Sequence, residues 1–435
     1  MLQSFNPPPV RLFMQQLVQR LRHSLLGLPQ YRRLWCNFFI AEIGARISIV
    51  ALPLLAITEL HAGPFESGIM VACHAGAFGV SSLLAGVLAD RFSPKRVLLG
   101  GQSLVFAALL SVPAGHALGV LRVEWLYVME LLIGLGLALI VAAGQVYAAR
   151  IAGTERAIES NSLIFGCDSI AGLIGPGLAG WLVALLTPAW AISIDGLCIA
   201  ISMLVLLPNP DQPGAGAGEH GRAASMLADF LAGWRLLWAD PMLRLLTVSA
   251  AMFHVLFHGH LALHVLLATR TLGLSAGWFG MAMMFGGLGA LAASLLTVRL
   301  ARRVGERRLM VGSVLALAAI WLVFAAMPAA SYTVVLFAPA VFAFDMMITS
   351  YSILFVSIRQ LAAPPALLGR ITSTSRFVAF SAAPLGGFGF GWVADHVGMR
   401  PTYALLGVLG IALAGGFGTL LRSGVESEAG QAAAG

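Results

Sequence analysis

The sequence predicts an all-α polytopic membrane protein: twelve transmembrane helices arranged as two six-helix halves. Three observations lead there. Of the 435 residues, 59% are apolar and 10% are charged, and the mean hydropathy is +0.89. A soluble domain carries about 25% charged residues, so a water-covered globule of this size cannot be built from so few. A spanning helix needs about 20 apolar residues, and the chain holds about a dozen such stretches. The bases, finally, fall almost entirely on alternate loops.

Taken in order, the chain opens with Pro7-Pro8-Pro9, a linker-like run. In residues 10–28, Val10, Met14, Leu17, Leu21 and Leu25 recur at helical spacing with Arg11, Arg20 and Arg22 among them. This pattern predicts a basic amphipathic helix lying on the membrane, so that residues 1–30 form an N-terminal segment. Bases inside the stretch and the lack of a small-x-small site argue against a cleavable signal. The first half, 31–208, has spans at about 34–59, 67–90, 96–118, 123–149, 162–187 and 189–208. A polar connection, 209–242, opens as PNPDQPGAGAGEHGR and continues as a surface helix bearing Met226, Phe230, Trp234 and Leu237. The second half, 243–422, has spans at about 243–269, 275–298, 308–328, 332–358, 371–394 and 401–421. The small, polar tail 423–435 is expected to be disordered.

Twelve spans put both termini on one side. Of the 26 Lys and Arg residues, 21 then fall on that side, three (Arg122, Arg270, Arg400) on the other, and two (Arg46, Arg376) within spans. The asymmetry makes the terminal side cytoplasmic. The formal charge of +7 is therefore an orientation signal. No basic run with interleaved aromatics suggests a nucleic-acid partner. The four cysteines lack metal-site spacing and read as small buried hydrophobes.

The halves echo each other. RIAGTERAIESNS (150–162) leads into span 5 and RQLAAPPALLGRITSTS (359–375) into span 11. Span 5 then carries GLIGPGLAGW and span 11 SAAPLGGFGFGW, each with a proline, closely spaced small residues and a closing Gly-Trp. Parallel six-helix repeats are a transporter layout, with the site between the halves. Gly175, Pro176, Gly180 and Pro384 are expected to set helix packing and bending.

After span 2 the chain reads GVLADRFSPKR (86–96). Gly86, Asp90, Arg91, Lys95 and Arg96 resemble the signature loop of the major facilitator superfamily, although Ser93-Pro94 departs from it. That resemblance implies a charge network latching one conformation. LARRVGERR (300–308) after span 8 is a degenerate copy without the Asp. Gly175-Pro176 resembles the family's antiporter motif, with Ala171 and Ala179 in place of the outer glycines. In span 4, Glu130 stands where the family often has an arginine. YRRLW, ALPLLA, DPMLR and LLGRI give a texture similar to the enterobactin-exporter and macrolide-efflux-like branch, over about residues 30–422.

Charges at membrane depth are costly, about 3 kcal/mol each, and so are functional candidates. Glu42 and Arg46 lie one turn apart in span 1, either as a proton or cation site or as a static pair. Asp345 has no charged neighbour in its own helix and suits a protonation switch. Asp168 precedes the Gly-Pro segment. Glu130 and Asp195 are placed in outer halves, where they could line an exit. Arg376 stands at the mouth of span 11, to attract an anionic group or to snorkel. Span 7 holds His254 and His258 on one face and His260 and His264 on another. No acid or cysteine completes either pair, so hydrogen bonding or proton relay is favoured over metal binding.

The expected function is proton-coupled export of a small organic molecule, first of all a siderophore. A multidrug or macrolide pump and an importer of the same fold are the alternatives. A membrane metalloenzyme is disfavoured because no HExxH string or positioned base is present, and no nucleotide-binding loop occurs. No cofactor or metal is expected. The partners are the substrate, protons and the lipid bilayer, and the chain is expected to be a monomer. Arg-rich, Lys-poor composition points to a GC-rich bacterium and its inner membrane.

Overall fold

The computed structural model describes residues 24–212, 231, 233–362 and 368–434. The amphipathic pattern before Ser24, and Met226 and Phe230 of the connection, lie outside the described residues. Among the described residues twelve long helices follow one another: α1 Pro29–Thr58, α2 Pro64–Arg91, α3 Pro94–Ala117, α4 Val123–Ala152, α5 Ala157–Leu186, α6 Pro188–Leu206, α7 Pro241–Leu266, α8 Ala276–Val304, α9 Glu306–Ala326, α10 Thr333–Ala362, α11 Leu368–Val397 and α12 Met399–Ala434. Eleven helices among the described residues are long and apolar enough to cross a membrane; α2, at 28 residues, is the twelfth.

Local chemistry explains the boundaries. Five helices begin at a proline, Pro29, Pro64, Pro94, Pro188 and Pro241, where a missing N–H costs nothing and φ is already set. Asp240 caps α7 by accepting from Leu243 N at 2.8 Å. A single residue, Gly305 at φ 95°, joins α8 to α9, a conformation that a Cβ would strain. α7 ends in a π-helical turn, Leu267–Thr271.

The helix pairs repeat. In the first half α1 packs on α5 and α6, α2 on α4, and α3 on α4 and α6. In the second half α7 packs on α11 and α12, α8 on α10, and α9 on α10 and α12. Adding six to each label of the first set gives the second. The halves meet through α2 with α11 and α5 with α8, which the same operation exchanges, and through α2 with α7. The first half is pinned by a buried amide cluster. Asn37 Nδ2 donates to Gln102 Oε1 at 3.1 Å and to Ser202 O at 2.8 Å, and Gln102 Nε2 donates to Ser202 Oγ at 3.2 Å. In the second half Thr297 and Ser350 share a 2.9 Å hydrogen bond. Such satisfied polar groups fix which faces meet where apolar surface alone would not.

One end of the bundle carries the start of α1, the end of α12 and the basic loops; it is called the basic end, and the other the far end. Toward the far end the halves touch backbone to backbone. A Cβ on Gly280 (α8) would stand 2.6 Å from Pro176 O and 2.8 Å from Gly180 Cα on α5. A Cβ on Gly391 (α11) would stand 2.8 Å from Pro64 O on α2, and one on Gly68 would strike Gly387 O. Past Gly79 on α2 and Gly172 on α5 the contact ends. Gly86 and Gly166 have nothing within 4 Å of a would-be Cβ, and the side chain of Asp168 is 57% exposed. The cleft between the halves is thus closed at the far end and open at the basic end.

One expectation needs adjustment. The tail expected to be disordered is helical, since α12 runs to Ala434; alanine and glutamate there are good helix formers and carry the helix on. The helix before α7 is present from its described residues onward. Leu237 packs with Leu243 and Ile371, and the rings of Trp234 and Trp238 lie 5.6 Å apart.

Candidate functional site

The two residues of span 1 recognised by their spacing do pair. Arg46 NH2 donates to Glu42 Oε1 at 2.6 Å. It also donates to Asp168 Oδ1 on α5, so the pair is a triad linking two helices of the first half. Asp345 stands on α10 of the second half, its carboxylate against Gly286 of α8. Two carboxylates therefore flank one guanidinium, and if both are ionised the triad carries a net charge of −1. The Nε of Arg46 is buried and takes no partner among the described residues. Charge at this depth, at a cleft between two bodies, makes the group a candidate functional site.

Glycine seats these charges. A Cβ on Gly175 (α5) would strike Cβ of Arg46, with its Cγ 2.8 Å away. One on Gly286 (α8) would strike Asp345 Oδ2, and one on Gly44 (α1) would strike Asp195 Oδ1. Each ionisable group thus lies over a neighbouring helix at a position where the side chain is missing. The Gly-Pro segment was expected to serve helix packing and bending. Gly180 and Pro176 do meet α8, while Gly175 makes room for Arg46. Pro384 of α11 lies 3.3 Å (Cγ) from a would-be Cβ on Gly76 of α2.

A second set of groups lines the α2, α7 and α11 side. Glu130 Oε2 accepts a 2.8 Å hydrogen bond from His74 Nδ1. Sequence reasoning placed Glu130 at an exit and missed His74. The signal was available: a lone histidine in span 2 at a depth matching the acid seven residues into span 4. His254 Nδ1 bonds Ala250 O and His258 Nδ1 bonds His254 O, both at 2.9 Å. A carbonyl can only accept, so both Nδ1 atoms are protonated and the Nε2 atoms are left as acceptors in the neutral rings. The ring of Phe380 lies 5.0 Å from His254 and 6.3 Å from His258. Arg376, exposed, stacks its guanidinium 5.6 Å from Phe78 and 5.9 Å from Phe380, bridging α2 and α11 by cation–π contact.

Asp195 does not line an exit. It is 3% exposed between α1 and α6, where Ser48 Oγ donates to its Oδ2 at 2.5 Å and its Oδ1 has no hydrogen-bond partner. The pair ties two helices of the same half, so it belongs to a rigid body and not to the cleft.

The loop after α2 engages its own half in this conformation. Lys95 Nζ donates to Leu207 O at 2.7 Å and Asn209 O at 2.5 Å. Arg96 Nε donates to Asp211 Oδ2 at 2.5 Å, and Ser93 Oγ donates to Asp211 Oδ1. The Ser93 hydroxyl and then Arg96 hold the Asp211 carboxyl below the usual aspartate range. Asp90 closes α2, but its side chain lies outside the described residues; Arg91 is exposed and Gly86 touches no neighbour at the Cβ position.

A depressed carboxyl stabilises the folded state above its unfolded pKa and loses that contribution as pH falls through its folded value. Asp211→Asn should therefore lower thermal stability at neutral pH. The difference from wild type should shrink as pH drops below the aspartate range, which thermal unfolding in detergent at several pH values would read. A difference that persists undiminished at low pH would exclude this anchor.

The sequence matches a family model described as Major Facilitator Superfamily over residues 34–387. It is 27% identical to the multidrug efflux pump Tap of Mycolicibacterium fortuitum, over 86% of this chain and 93% of that protein. It is 28% identical to the enterobactin exporter EntS of Shigella flexneri, over 90% of each. Among solved structures, the nucleoside transporter NupG superimposes with a TM-score of 0.75 at 15% identity, over 90% of this chain and 99% of that one. A bacterial homologue of the lysosomal transporter Spinster, inward-facing and unoccupied, gives 0.68 at 10% identity, over 92% and 98%.

Proposed function

The chain belongs to the major facilitator superfamily, and from that membership we propose that this secondary transporter, which is not an enzyme, is a proton-coupled exporter. The observation that carries the reading is the surplus of acid around Arg46. Glu42 and Asp168 both pair with Arg46 and Asp345 stands on α10 of the other half, so acids outnumber the base at the cleft and a proton or cation can be shared among them. Arg46, Glu42 and Asp168 belong to one half and Asp345 to the other. Rocking of the halves changes the distance between Asp345 and Arg46, so proton binding and conformation are linked.

The substrate enters the cleft from the basic end, which the 21-to-3 distribution of bases supports as cytoplasmic. It leaves at the far end of a bacterial inner-membrane protein working as a monomer. Acids on one wall, and Arg376 with Phe78, Phe380 and the histidines on the other, suit a molecule with an aromatic or anionic part and a cationic or donor-rich part. We place a siderophore first, in line with the similarity to an enterobactin exporter. The similarity to a multidrug pump favours the second reading, an amphipathic drug.

A deletion strain separates the two. On the first reading the culture medium loses secreted iron chelator; on the second, chelator is unchanged and drug sensitivity rises. Proton coupling is tested in either case by a protonophore and by Asp345→Asn. Each is expected to stop uphill export while downhill exchange of substrate continues. Export that survives a collapsed proton gradient would sink the coupling.

A further inference from the structure

The second half holds a buried titratable chain that the acid cluster does not use. His264 Nδ1 and His260 Nε2 share a hydrogen bond of 2.8 Å. His260 Nδ1 lies 3.2 Å from Tyr403 Oη on α12. His260 is 2%, His264 8% and Tyr403 0% exposed. Three of the four ring nitrogens are thereby engaged. The fourth, His264 Nε2, is buried and has no hydrogen-bond partner.

That ring sits among aromatics. The centroids of Phe279 (α8), Phe324 (α9) and Phe337 (α10) lie 5.6, 5.8 and 5.5 Å from it. Phe344 (α10) is 4.3 Å and Trp321 (α9) 6.2 Å from the ring of His260. Aromatic rings within about 6 Å attract a cation. Among the described residues, Tyr403 is the one other titratable group in contact with the dyad. Asp345 follows Phe344 in sequence, but its carboxylate is turned to Gly286 on α8.

We propose that His260 and His264 form a proton-holding site of this transporter, separate from the acid cluster, with Tyr403 as its terminal acceptor. The neutral dyad carries two ring protons. One is shared between the rings; the other sits either on His264 Nε2 or on His260 Nδ1, which then donates to Tyr403 Oη. Uptake of one proton fills the remaining lone pair and breaks no bond, and the imidazolium so formed lies in the aromatic cage. The dyad stands in the last turns of α7, next to the π-turn whose Arg270 donates to Ile57 O of α1 at 2.9 Å. Release of that contact as the far end opens is what admits the proton.

Trp321 is a built-in reporter, because an imidazolium quenches a neighbouring indole more strongly than a neutral imidazole does. The full chain in lipid nanodiscs is titrated between about pH 8 and about pH 5. Its emission minus that of Trp321→Phe isolates the reporter. The difference is expected to fall by half or more on acidification, and to stay flat in His264→Gln. Tyr403→Phe, which removes only a hydroxyl, is expected to weaken the fall. Gly280→Leu, a variant that disfavours far-end closure, is run in parallel to expose α7. A difference emission that does not change with pH in either background overturns the proposal, as does a fall that His264→Gln leaves intact. With protons as the sole ligand, the outcome is independent of whether the acid cluster drives export.

Discussion

Arg46→Gln is expected to cut transport by roughly 10-fold, the kinetic counterpart of about 1.4 kcal/mol, because Glu42 and Asp168 are partly open to the cleft and solvent screens the charges left unpaired. Its guanidinium is the shared partner of Glu42 and Asp168, and removing it leaves two carboxylates facing each other across α1 and α5. Insertion and folding should survive, since the apolar helix faces that hold α1 against α5 and α6 are untouched. The signature of repulsion, as opposed to lost packing, is rescue. Asp168→Asn added to Arg46→Gln removes one of the two opposed charges and should restore part of the rate. Uptake into proteoliposomes, measured for wild type, both single variants and the double variant, gives the interaction directly. Wild-type rates in Arg46→Gln would remove the triad from the transport cycle.

The second large effect is expected at the far-end seam. In Gly280→Leu the new Cβ would stand 2.6 Å from Pro176 O and 2.8 Å from Gly180 Cα. Both are backbone atoms that no rotamer change can move. Overpacking of this kind costs about 1–3 kcal/mol or more. The cost falls only on the closed seam, because the contact is absent once the halves part. A bias of about 3 kcal/mol moves a two-state equilibrium by roughly 100-fold. Spin labels at Val120→Cys and Ser331→Cys, on far-end turns of the two halves and with the native cysteines replaced, should report a longer distance in Gly280→Leu than in its parent. Gly68→Leu, which strikes Gly387 O on the symmetry-related seam, should do the same. Unchanged distances in both variants would mean that these glycines do not gate the far end.

The spans were legible because a bilayer demands about 20 apolar residues at a time, and the positions of the bases then fixed their number and parity. The Glu42–Arg46 pair was legible because four residues on a helix is a local distance. Asp168, 122 residues away from Arg46, was legible only as an acid at depth. Its partner depends on how α1 and α5 are rotated, and helices that are apolar all round carry little signal about rotation. The same lack explains Asp195, assigned by depth to an exit but turned toward Ser48 and Gly44. The glycines could be read as packing residues. That Gly175 and Gly286 are recesses for Arg46 and Asp345 follows only from which helix lies opposite. His260 and His264 were seen as one of two diverging pairs; their mutual hydrogen bond, and the enclosing rings from three other helices, needed the fold.

Arg270 gives the far end an electrical scale. Its hydrogen bond to Ile57 O joins the two halves across the closed seam, and a bond from a charged donor contributes about 1.5–3 kcal/mol. One elementary charge falling through 100 mV of membrane potential releases about 2.3 kcal/mol. The strap and the electrical work of a single charge are therefore of one size. One charge crossing the membrane would bring work of the same order as breaking this one bond, while the glycine contacts of the seam add to what must be undone.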